Sequence, residues 1–199
     1  MQGSSRSRAL RLTVTASFAG AFVAGAVAVF AAARFLGAAL GVSALPVEWR
    51  LGGVAVLLAG LAAVDLVALR RGSYCPLGWR RQTPKALMRL PSAPAVAAIW
   101  GFDTGLAVTT IRVAALSWGA LAFAFLGLAE WWVGVAYGVG FALPVTVLLW
   151  THGVGPSSVA ESPTDPGLAA LAGRRPLVQI GSAALLAASG VVVLLALPT

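Results

Sequence analysis

The sequence predicts an all-α integral membrane protein, a bundle of about five transmembrane helices with its N-terminus inside and its C-terminus outside. Three observations carry that expectation. The 199 residues are 59% hydrophobic and only 10% charged, with a mean hydropathy of +0.91. A water-soluble domain carries about 25% charged residues, so this chain has too few to solvate its outside. Its apolar residues gather in uncharged or nearly uncharged stretches, several of them long enough to cross about 30 Å of hydrocarbon. Finally, its thirteen arginines and single lysine, Lys85, are distributed asymmetrically among the connections.

The first stretch, residues 12–40, follows Arg6, Arg8 and Arg11 and is uncharged from Leu12 to Ala33. A secretory core is about 7–15 residues long, so this run is expected to stay as a first span that also directs insertion. Arg34, near its outer end, has a stem long enough to snorkel toward headgroups. A short link ending in Glu48-Trp49 makes spans one and two (residues 51–69) an antiparallel hairpin, with Trp49 at interfacial depth. Residues 70–94 form a basic inner loop in which Pro76, Pro84, Pro91 and Pro94 rule out one continuous helix. In that loop Arg70, Arg71, Trp79, Arg80, Arg81 and Lys85 are candidate contacts for anionic headgroups or for a partner.

Residues 95–128 form the third apolar stretch, and 133–150, with a kink expected at Pro144, the fourth. The third covers 34 residues, roughly 50 Å at the helical rise, well beyond the hydrocarbon thickness. A break near Gly101 or Gly105 would resolve the excess. A Pro-, Ser- and Gly-rich loop, 153–175, leads to a fifth span at 176–197. With the N-terminus inside, 11 of the 14 basic residues fall on the inner side, as the positive-inside rule requires. That clustering explains the net charge of +8 without nucleic acid. The whole chain is expected to form a single transmembrane domain of the bacterial cytoplasmic membrane. At an offset of 82 residues, Gly37-Ala38, Glu48-Trp49 and Gly52 align with Gly119-Ala120, Glu130-Trp131 and Gly134, which suggests a parallel two-helix internal repeat. Gly37/Gly41, Gly101/Gly105 and Gly134/Gly138 are spaced for close helix packing.

Ionisable residues inside spans are costly, so each is a functional candidate. Asp65 and Arg112 fall at similar depth near the inner ends of spans two and three, close enough in expectation to pair. Asp103 lies in Trp100-Gly-Phe-Asp103-Thr-Gly, with Thr109 and Thr110 further along. It is expected to cap a helix start or to begin the span. These five residues make up the candidate polar site. Glu48 and Glu130 are expected at the surface of outer turns. One histidine, His152, and one cysteine, Cys75, suggest no metal site and exclude an intramolecular disulfide. No nucleotide-binding loop, nucleophile elbow or metal motif occurs, so neither a catalytic residue nor a cofactor is expected.

Arg80-Arg81-Gln82-Thr83-Pro84, Trp100 to Leu106 and Tyr137-Gly-Val-Gly-Phe-Ala-Leu-Pro144 resemble small actinobacterial membrane proteins. Those are distantly similar to the thiol–disulfide carriers of the cytochrome c biogenesis (CcdA/DsbD transmembrane) family. Carriers of that type use two cysteines in paired spans, whereas this chain has Thr109-Thr110-Ile111-Arg112 in the corresponding place. The resemblance therefore implies a retained helical scaffold with a polar centre. Three functions remain open from the sequence. The leading one is an accessory or assembly subunit whose basic inner loop touches anionic lipid headgroups or a membrane or cytoplasmic partner; a protein partner, or else a homo-oligomer, is expected. The others are a small transporter lined by Asp65, Asp103 and Arg112, and a redox remnant acting through Cys75.

Overall fold

A computed structural model describes residues 2–77, 92–107, 113–152 and 173–197, the side chains of 2–7, 148–149 and 151–152 excepted. All regular structure among them is helical: α1 (Gln2–Ala39), a short 3-10 turn (Val42–Ala44), α2 (Val47–Arg70), α3 (Ala93–Gly105), α4 (Leu116–Phe125), α5 (Val133–His152) and α6 (Arg175–Leu195). Three helices are long and apolar enough to cross a membrane: Arg8–Ala39 within α1, α2 and α6. The protein is an all-helical membrane protein. Trp79, Arg80, Arg81, Lys85, Thr109, Thr110 and Arg112 lie outside the described residues.

The described residues form two compact units. One draws on Met1–Val29, Arg81–Thr110 and Trp132–Asp165, the other on Phe30–Arg80, Ile111–Trp131 and Pro166–Thr199. In the first, Val14, Phe18 and Phe22 of α1 lie one helical turn apart, and all three are buried with Ala97 of α3 and Ala142 of α5. Gly101 and Gly105, also one turn apart, let α3 ride directly on α1. A Cβ at either position would collide with the backbone carbonyl of Phe18 or Phe22. Phe18 and Trp100 fill the flank of this contact with ring centroids 5.0 Å apart. Ser92 starts α3 by accepting the Ala95 N–H at 3.3 Å, with Pro94 in the first turn, where a proline's missing N–H costs nothing.

The second unit is built on α2 and α6, which pack antiparallel. Gln179 reaches Ser73 at one end, and Gly190 lies against Ala55 and Leu58 toward the other. Val54, Leu58 and Ala62 on α2 meet Ala183, Leu186 and Val193 on α6 in one core, with Ala115 and Leu126 added from the α4 segment. Gly37 of α1 sits on the backbone of Phe125. At the end of α2, Gly72 takes a φ of 58°. The Ser73 N–H then bonds back to Ala68 and the Gly72 N–H to Leu69, at 2.9 and 3.0 Å. This left-handed closure, which glycine adopts without a Cβ penalty, turns Ser73, Tyr74 and Cys75 back toward α6.

The third apolar stretch is not one helix. It divides into α3, which ends at Gly105, and α4, which starts at Leu116. The stretch expected as one span, 95–128, is thus interrupted, just past Gly105, one of the two glycines where a break would relieve its excess length. Ala107, 1% exposed, takes a left-handed φ of 62° just past the end of α3. Alanine pays about 1–2 kcal/mol for that conformation, so the surrounding packing must hold it there. α5, in contrast, continues as helix through Pro144.

Candidate functional site

The most polar part of the described interior lies in the second unit, around Asp65. This carboxylate is completely buried on α2. Both of its oxygens accept the backbone N–H of Ala115, at 2.8 and 3.1 Å, and one also accepts the Ser182 hydroxyl of α6 at 2.6 Å. Ala115 is the residue that opens α4. Asp65 therefore stands at the N-terminus of a helix that begins inside the protein, where unsatisfied N–H groups and the helix dipole both favour a negative charge. Among the described residues no cation lies within ion-pair distance of it.

One turn away on α6, Gln179 is 1% exposed. Its amide nitrogen donates to the carbonyls of Ser73 at 2.8 Å and Val113 at 3.2 Å. It thus fastens the turn after α2 to the backbone just before α4. Among the described residues, its own buried carbonyl oxygen has no donor and the buried Ser117 hydroxyl in the first turn of α4 has no partner. Arg175, Gln179 and Ser182 lie four and three residues apart, one above the next on a single face of α6. Below Ser182 the same face becomes apolar, with Ala183, Leu186, Gly190 and Val193 buried.

Cys75 lies in the same unit, 2% exposed. Burial pushes its thiol above the usual range, the Asp65 carboxylate adds to that, and a hydrogen bond with the Leu77 backbone opposes both. The thiolate is the reactive form. A water-soluble maleimide is therefore expected to label Cys75 slowly at neutral pH in the folded protein and rapidly after denaturation. Rapid labelling of the folded protein would contradict the burial.

Of the expected polar site, the described residues include Asp65 and Asp103. Among the described residues, the partners of Asp65 are a backbone N–H and a hydroxyl. The expected Asp65–Arg112 pair, together with Thr109 and Thr110, lies on the Arg112 side outside the described residues. Asp103 belongs to the other unit and sits in the last turn of α3, not at a helix start. Ser92 takes the capping role expected of it. Arg70 and Arg71 are exposed at the end of α2, as headgroup contacts would be.

Two arginines also found partners that their positions in the sequence did not suggest. Arg34 bonds the Ala129 carbonyl at 3.1 Å and pairs with Glu130 at 3.2 Å, where it was expected to reach headgroups alone. Arg50 reaches the carbonyls of Leu126 and Gly127 at 3.4 and 3.3 Å. Together they hold the turn that follows α4.

Sequence reasoning missed Ser182 and Gln179, because a span without charges was read as uniformly apolar. The available signal was their spacing with Arg175. No metal-binding group of three or more His, Cys, Asp or Glu occurs among the described residues. No family model, curated protein or solved structure matches the chain.

Proposed function

We propose that this protein is an accessory or assembly subunit, a multi-pass helical protein of the bacterial cytoplasmic membrane that binds a membrane or cytoplasmic partner. One observation carries the reading. The buried carboxylate of Asp65 is taken up by internal donors, the Ala115 N–H and the Ser182 hydroxyl. A polar residue so engaged acts as a fastener between helices, a use that buried polar groups in membranes commonly serve. Gln179 is employed in the same way. Such a chain contributes a firmly held set of apolar helices to a larger assembly.

A second reading, a small transporter, is favoured by the interrupted third stretch. Carriers place substrate and ion sites where broken helices expose their ends, and α4 starts beside Asp65, Ser117 and Gln179. The redox reading has less support, since Cys75 is buried and its thiolate disfavoured.

The test is purification of the tagged protein in native nanodiscs, with mass spectrometry of whatever accompanies it. A partner present at fixed stoichiometry supports the subunit reading. Protein recovered only with itself sinks that reading and favours transport. Proton uptake into proteoliposomes, compared between wild type and Asp65→Asn, then decides whether the carboxylate lies on a path.

A further inference from the structure

Four arginines stand at two neighbouring helix ends of the second unit. Arg70 and Arg71 close α2, while Arg174 and Arg175 open α6. The two helix ends are neighbours. Gly72, directly after Arg71, lies within van der Waals reach of the Arg175 guanidinium, and Gln179 bonds Ser73. Among the described residues no acidic side chain pairs with any of the four, since the described ion pair is Arg34–Glu130. Arg175 is also held in place: its guanidinium stacks over the Tyr74 ring at 5.3 Å, and its buried Nε has no acceptor among the described residues. Four like charges on two adjoining helix ends, one of them oriented by an aromatic ring, attract an anion. Arginine's planar fork suits phosphate.

The position of the cluster decides which phosphate. Both helices are long and apolar enough to cross a membrane, so their ends stand at headgroup depth. One turn further in, Leu66 and Val67 of α2 and Leu177 and Val178 of α6 are exposed. A free phosphate ion has no use for that apolar surface, whereas an acyl chain does. We infer that Arg70, Arg71, Arg174 and Arg175 form a binding site for the phosphate of an anionic phospholipid, whose chains lie along Leu66, Val67, Leu177 and Val178. The positive-inside count places this end in the cytoplasmic leaflet, where anionic lipid attracts basic side chains. The site does not depend on the subunit reading. It would exist in the isolated chain whatever partner that chain has.

The test uses the purified full-length protein in neutral detergent, titrated with phosphatidylglycerol, phosphatidylcholine or inorganic phosphate. Melting temperature reports binding, and native mass spectrometry counts retained lipid. Phosphatidylglycerol is expected to raise the melting temperature and to stay bound, and the other two to do neither. Each arginine near the membrane surface contributes about fivefold in affinity, so Arg174→Gln/Arg175→Gln should weaken the lipid about 25-fold. Arg8→Gln/Arg11→Gln removes the same charge elsewhere and should leave binding within about twofold. If the first variant does not elute as a single species, Arg70→Gln/Arg71→Gln carries the same expectation, because both side chains are exposed. Equal protection by phosphatidylcholine or by inorganic phosphate overturns the site, as does equal weakening in the Arg8/Arg11 variant. Because no partner protein is present, failure here leaves the subunit reading untouched.

Discussion

Asp65→Ala is expected to be the most damaging single substitution in the second unit. It strips the acceptor from two buried donors, the Ala115 N–H and the Ser182 hydroxyl. Each orphaned donor costs about 1–3 kcal/mol, which places the total near 2–6 kcal/mol. Asp65→Asn keeps one carbonyl oxygen for one of the donors and should fall between wild type and alanine. Ser182→Ala leaves the carboxylate its bonds to Ala115 and should cost about 1 kcal/mol. Because the hydroxyl and the carboxylate serve each other, the double variant should be less destabilised than the sum of the singles. Thermal unfolding of the four proteins in one detergent checks the order. An Asp65→Ala protein that melts within a degree of wild type would remove the fastener from the account, and with it the support for the subunit reading.

Gly105→Ala and Gly140→Ala, two chemically identical changes, are expected to act in opposite directions. At Gly105 the added methyl meets the backbone carbonyl of Phe22, which cannot rotate away. α3 would have to move off α1, and overpacking of that kind costs about 1–3 kcal/mol. Gly101→Ala should behave the same way against Phe18. At Gly140, inside α5, nothing lies within 4 Å of the added carbon. There alanine only restricts the unfolded chain, and the protein should gain about 0.5–1 kcal/mol. Paired melting curves decide the matter. Equal shifts of the same sign would mean that α3 and α1 are not in backbone contact.

The membrane class was legible in composition alone, because a chain with 10% charged residues cannot solvate its own outside. Helices α1, α2 and α6 were legible for a related reason. In lipid an apolar segment of that length must satisfy its backbone internally, and helix is the one form a lone segment can take. The Gly101/Gly105 contact could be read as close-packing spacing, although Gly37/Gly41 has the same spacing and only Gly37 packs closely. The 34-residue length of the third stretch pointed to a possible break without fixing it, and Asp65 could be singled out as a buried charge needing a partner beyond its own helix.

What answered that need was decided by tertiary structure. Among the described residues, one partner of Asp65 is a hydroxyl on α6 and the other a backbone N–H fifty residues away. Every residue but proline carries such a group, so no side-chain pattern marks the one that will be left free. The break itself is closed by Ala107 in a left-handed turn. Alanine is the best of helix formers, and only packing around it can impose that conformation. Arg34 was expected to reach headgroups and Arg50 had no expected partner, until the turn after α4 brought carbonyls to both. Hydrophobic length is a property of a segment, and the sequence therefore determined which segments are helical and lipid-borne. The partner of a buried polar atom is a property of two segments at once, and that only the folded chain decides.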